Sequence, residues 1–302
     1  MQKLSLLPIL ILVTINFAKA QISPSITYDS LSGDWIITYQ GSQGPIQAYF
    51  VPATKIDPVV RAAVEDGDTL RYQYILTNGA SSQQRLLNFL ISFRNSVFEV
   101  TRPSSQWHSE SSRLPRGWEW GHTLINPDGG PSLDMGIPPD STVGGFSLKS
   151  FGLPSIMNSY FQGLTGTMMF PEEPPAEVDD LLGPLEEFPA NEVLRKTIGP
   201  ADPPTPFNAP NFLDTIKTYI NQSRSLGWIT NDPTANKYTA YIDSARSNLQ
   251  ANNRDVTKAK LDMVLQNVDA DSGSTLSSEA YALLRFNTEY VMNKLREYEE
   301  GH

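Results

Sequence analysis

The residues best equipped for chemistry in this chain fall between Trp107 and His122. Trp107-His108-Ser109-Glu110-Ser111-Ser112 sets an imidazole, a carboxylate and three hydroxyls side by side, and Arg116-Gly117-Trp118-Glu119-Trp120-Gly121-His122 follows closely. A nucleophilic triad would join one of these serines to His108 or His122 and to an acid such as Glu110. The G-x-S-x-G turn that forces a serine into a nucleophile's position is absent, so the serine cluster reads as a surface loop. The tryptophans carry more weight. Trp118 and Trp120 are two apart, and a strand would point both rings to one side. Exposed, the pair would stack on sugar rings; buried, it would fill a core, which is the default for Trp118. Trp107, Trp118 and Trp120, rimmed by Arg116 and His122, are therefore the candidate ligand contacts. No catalytic residue is assigned.

Other chemistries are weaker. Asp269-Ala270-Asp271-Ser272-Gly273 opens like a calcium loop, but Ser274 and Ala280 stand where such a loop needs glycine and glutamate. The three histidines, His108, His122 and His302, are too few for a zinc site without further ligands. Sugar acid–base chemistry needs two carboxyls held rigidly at a set separation. Glu172 and Glu173 lie among prolines and do not offer that, and Asp134 and Asp140 read as turn acids. There is no phosphate-cradling glycine loop. Asn221-Gln222-Ser223 is a glycosylation sequon inside a predicted helix and is discounted. No metal or cofactor is expected.

Charge and cysteine content narrow the classes further. The net charge is −10, which argues against nucleic acid, whose binders neutralise phosphates, and against anionic membrane surfaces. The absence of cysteine excludes thiolate chemistry and leaves stability to ordinary cores. Lys3, the apolar run Leu4 to Phe17 and the exit Ala18-Lys19-Ala20 predict a signal peptide over 1–20, cleaved before Gln21. The mature protein is expected to be secreted or periplasmic, with no stable membrane insertion.

The elements that would position these residues change character twice along the chain. Residues 21–170 show a period of two. Leu70, Tyr72, Tyr74 and Leu76 form one face of a strand; after Asn78-Gly79, Leu87, Phe89, Ile91 and Phe93 form another, and the two read as a hairpin. Trp35 to Tyr39 and Ile46 to Val51 make a second pair, Trp118 to Ile125 and Phe146 to Leu148 supply later strands, and Lys55 to Asp66 reads as a short helical turn. The whole predicts an antiparallel, Ig-like β-sandwich. Residues 171–210 hold ten prolines and nine acids against two bases, predicting a stiff acidic linker. Residues 211–298 have helical spacing. Asn211 caps a first helix that Gly227 stops, Asp232-Pro233 starts a second, Asp255 a third and Ser277 a fourth. Short connections then predict a four-helix bundle.

Leu226-Gly227-Trp228-Ile229, Ile242-Asp243-Ser244-Ala245-Arg246-Ser247-Asn248-Leu249 and Ser278-Glu279-Ala280-Tyr281-Ala282-Leu283-Leu284, preceded by Thr197-Ile198-Gly199-Pro200, resemble the FIMAH-type accessory module at the ends of secreted bacterial proteins. Pro115 to Trp118, Ile137 to Ser141 and Gly145-Phe146-Ser147 resemble an uncharacterised exported β-sandwich family. The resemblance implies an exported accessory protein and no reaction. The reading is a secreted, non-enzymatic binding protein for a glycan or protein ligand. The alternatives are a small extracellular hydrolase using His108 or His122, and an architectural envelope protein.

Overall fold

A computed structural model describes residues 22–113, 116–122, 135–165, 170–186 and 191–300. The predicted signal peptide, the strand end at 123–125, Asp134 and His302 lie outside these residues. The chain divides into two compact units, Met1–Phe50 with Met168–Pro184, and Val51–Thr167 with Leu185–His302. The architecture is β plus α, with antiparallel sheets first and helices after them.

In the first unit β1 (Ser25–Asp29), β2 (Asp34–Gln40) and β3 (Pro45–Phe50) form an antiparallel meander. Trp35 to Tyr39 and Ile46 to Phe50 pair as expected. The proline-rich stretch is not loose here. The Tyr39 hydroxyl donates to the Glu172 carbonyl at 2.7 Å, and the Ser42 N–H and Oγ donate to the Glu172 carboxylate at 2.7 and 2.9 Å. The Ser42 amide, and then its hydroxyl, hold the Glu172 carboxyl below its usual range.

The second unit holds two antiparallel sheets. The first comprises β4 (Pro58–Glu65), β5 (Leu70–Asn78), β7 (Phe98–Thr101) and β10 (Ser141–Ser150), in the order β4-β5-β10-β7. In the second, β6 (Leu86–Ser92), β8 (Trp107–Arg113), β9 (Arg116–His122), β11 (Leu153–Gly163) and β12 (Val193–Ala201) run in the order β12-β11-β6-β9-β8. Both sheets contribute to one core, with Tyr72, Tyr74, Leu76 and Phe146 from the first and Phe89, Ile91, Trp120, Phe161 and Ile198 from the second. The buried tyrosine hydroxyls find acceptors, Tyr72 on the Gly152 carbonyl at 2.7 Å and Tyr74 on the Ile198 carbonyl at 3.2 Å.

Three expectations are corrected here. Lys55 to Asp66 is no helical turn: Pro58, Val60, Ala62 and Val64 alternate inward along β4. The runs on either side of Asn78-Gly79 are not a hairpin, because β5 pairs with β4 and β10, while β6 pairs with β9 and β11. The Asn78 amide donates to the Gln84 and Ile137 carbonyls at 2.8 and 2.9 Å and so ties down a connection that passes between sheets. The linker expected over 171–210 contains α1 (Glu177–Glu186), which buries Val178 and Leu182 one turn apart, and all of β12. β12 can carry Gly199 and Pro200 because it is an edge strand, with hydrogen bonds needed on one side only.

Helices α2 (Ala209–Ser225), α3 (Asp232–Gln250), α4 (Arg254–Asp271) and α5 (Ser278–Glu300) complete this unit. Asn208, not Asn211, caps α2, its Oδ1 accepting the Asn211 N–H at 3.0 Å. Asn231 caps α3 just ahead of Asp232-Pro233, and Gly227 takes a φ of 76° after α2. Phe212, Ile216, Tyr238, Ile242, Leu261, Val264 and Leu284 form a helical core. The helices are not a separate body, as a boundary at 211 supposes. α5 turns a second face, Ala282, Leu283 and Phe286, into the core of the sheets. Glu279 Oε1 also accepts the Ala62 N–H of β4 at 2.7 Å, and Asn287 donates to the Pro154 carbonyl at 2.9 Å.

Candidate ligand pocket

The β8–β9 hairpin brings the candidate residues into one register. Trp107 lies opposite His122, Ser109 opposite Trp120, and Ser111 opposite Trp118. Alternation puts Trp118 and Trp120 on one side, as their spacing implied, and that side, which His122 shares, faces the core. Depth then separates them. Trp120 is fully buried, stacked on Phe89 at 5.4 Å, and donates its indole N–H to the Thr101 carbonyl at 2.9 Å. Trp107 is buried edge-on to Phe146 at 4.9 Å, and His122, 5% exposed, packs beside it at 5.2 Å. Trp107, Trp120 and His122 are thus core residues and not ligand contacts, because they sit along the hairpin where the facing sheet covers them.

Toward the hairpin's turn that cover ends. Phe93, Asn95, Ser96 and Val97 from the β6–β7 connection, Ser111 and Ser112 from β8, and Arg116, Gly117 and Trp118 from β9 line a pocket of about 480 Å³. This size suits a small-molecule site. Gly117 lets β9 run close to β6, since a Cβ there would lie 1.9 Å from the Ile91 carbonyl oxygen. The Ser92 hydroxyl donates to the Arg116 carbonyl at 3.3 Å and holds the same strand end. The opposite wall is fixed by Asn95, whose amide donates to Asp202, and by Ser150, whose hydroxyl donates to the Ser96 carbonyl at 3.0 Å. Trp118 is half-buried, and its indole nitrogen is shut from solvent with no acceptor among the described residues. Arg116 is exposed and, among the described residues, is the only charged one that lines the pocket.

The other face of the hairpin carries a different group. His108 lies over Gly121, whose added Cβ would meet the imidazole Cε1 at 2.5 Å. Glu110 stands directly opposite Glu119. Burial, and then Glu110, raise the Glu119 carboxyl. Glu192 is pushed up to about 7 by burial and then by Glu119, and its Oε2 has no hydrogen-bond partner among the described residues. Sequence reading missed this trio. The alternation that pairs Trp118 with Trp120 necessarily turns Glu119 the other way, but Glu192 belongs to the supposed linker. The same alternation sets His108 and Glu110 on the face opposite Ser109 and Ser111, so no serine–histidine pair forms between them. Among the described residues no group of three or more histidine, cysteine or acidic side chains is placed to hold a metal ion, and no helix is long and apolar enough to cross a membrane. The sequence matches no family model and no curated protein.

Proposed function

We propose that this is an exported, non-enzymatic binding protein whose Ig-like β-sandwich takes a saccharide in the pocket between the β6–β7 connection and the β8–β9 hairpin. Its helices α2–α5 would form the four-helix bundle that their short connections predict, in the place where the sequence resembles a FIMAH-type accessory module. The observation that carries this reading is the pocket's lining. A half-buried indole offers a flat apolar surface for a sugar ring, and Ser111, Ser112, Ser96 and Asn95 offer hydroxyl and amide partners for its hydroxyls. The walls are held by hydrogen bonds already made, so little ordering cost falls on binding.

The test is a glycan array probed with the chain from Gln21 onward. Binding to one class of glycan, lost in Trp118→Ala with an unchanged melting temperature, supports the reading; an array without signal overturns it. Export is checked by mass spectrometry of the protein recovered outside the cytoplasm, whose N-terminus should be Gln21.

A hydrolase reading has one observation in its favour, the sharing of one hairpin face by His108, Glu110 and Glu119. It requires glycan or ester cleavage that Glu119→Gln abolishes, and an inactive wild-type protein would remove it.

A further inference from the structure

The pocket's charge differs from that of the molecule around it. The chain is acidic overall, with 33 Asp and Glu against 23 Lys and Arg, yet among the described residues no carboxylate lines this pocket and Arg116 does. The nearby acid, Asp202, is engaged by the Asn95 amide, which leaves the Asn95 carbonyl oxygen as an acceptor and fixes the side chain in place. Several arginines of the second unit are already paired with acids. Arg195 pairs with Asp57, Arg224 with Asp232, Arg246 with Asp214, and Arg285 with Asp269 and Glu289. Arg116 has no ion pair among the described residues and stands at the pocket rim beside Trp118. A guanidinium offers a planar fork that matches a carboxylate with two parallel hydrogen bonds, a geometry a neutral hydroxyl cannot use fully.

Resting on the saccharide reading above, we infer that the pocket selects a carboxylate-bearing sugar, a uronic acid residue of an acidic polysaccharide, with its ring against Trp118 and its carboxylate on Arg116. The ring and the charge are both required. Trp118 supplies contact area without charge, and Arg116 supplies charge without area. The protein's overall negative charge repels polyanions at long range, so an acid is retained only where it reaches the Arg116 guanidinium. Repulsion is screened over about 8 Å at physiological salt, whereas a close guanidinium–carboxylate pair is screened much less.

The experiment is calorimetric titration of the chain from Gln21 onward with three probes: a short oligogalacturonate, the same oligosaccharide as its methyl ester, and citrate. The acid is expected to bind at least tenfold more tightly than the ester, with citrate showing no binding. Arg116→Gln is expected to abolish the preference for the acid over the ester; Arg116→Lys is expected to recover only part of it. Equal binding of acid and ester overturns this inference and leaves the saccharide reading standing. No binding of either oligosaccharide, with a neutral glycan bound on the array, also overturns the inference alone. Citrate binding as tightly as the oligosaccharide shows a bare anion site and overturns both. Arg116 is exposed, so its variants should melt as the wild type does; a variant that does not is replaced by Ser111→Ala, which is expected to weaken acid and ester alike.

Discussion

At the scale of single residues, depth along one hairpin decides role. Trp120 and Trp118 share a face, yet one is sealed between sheets and the other borders the pocket. Trp120→Ala would leave a cavity beside Phe89 and Phe146 and is expected to destabilise by about 3–5 kcal/mol, read from urea denaturation. Trp118→Ala should cost far less stability while removing ligand contact. Glu192 provides a pH test. Burial and then Glu119 push its carboxyl up to about 7 in the folded chain, from an ordinary value of 4.5. The native state therefore holds this proton more tightly than the unfolded state, and stability must fall as pH rises from about 4.5 to about 7. Glu192→Gln removes that fall. The variant should match the wild type near pH 4.5 and exceed it at pH 8 by about 1 kcal/mol, after allowing for screening of a half-buried group. Urea midpoints at the two pH values check the sign, and a variant that gains nothing over the wild type between them refutes it.

At the scale of elements, what could be read from the sequence was whatever depends on local pattern. The inward face Tyr72, Tyr74 and Leu76 of β5, the pairing of β2 with β3, and the start of α3 at Asp232-Pro233 all rest on spacing or capping within a few residues. What could not be read depends on partners distant in sequence. β12 is hidden by the prolines around it, and its own Pro200 is harmless on an edge strand, where one side needs no partner. β5 and β6 each have hairpin-like alternation, and nothing local says that they join different sheets. The pocket was half legible. Arg116 and Trp118 were singled out from the sequence, but Asn95 and Ser96 come from a connection whose position follows only from that sheet change. Gly117 belongs to the same lesson. Its need for a missing side chain arises from the Ile91 carbonyl on the neighbouring strand. Gly117→Ala is expected to part β9 from β6 at this end and to weaken the pocket's ligand tenfold or more. Hydrogen exchange should show faster exchange confined to the ends of these two strands.

At the scale of the molecule, the strands and helices of the second unit share a hydrophobic interior. α5 has one apolar face in the helical core, through Leu284, Val291 and Leu295, and another in the sheet core, through Ala282, Leu283 and Phe286. The join is polar as well as apolar, since the buried Glu279 satisfies the Ala62 N–H. Glu279→Ala would leave that buried donor without a partner, at a cost of about 1–3 kcal/mol. A sheet body able to fold alone would not need this cover, and cutting the chain decides the matter. A chain ending at residue 204 keeps every strand and loses α2–α5, so it would expose the sheet residues that Leu283 and Phe286 now cover. Calorimetry of that shortened chain is expected to show no cooperative transition, while the full chain melts its second unit in one step. A shortened chain that melts cooperatively at the full chain's temperature would instead make the helices a separate folding unit, with α5 resting on a surface already stable without it.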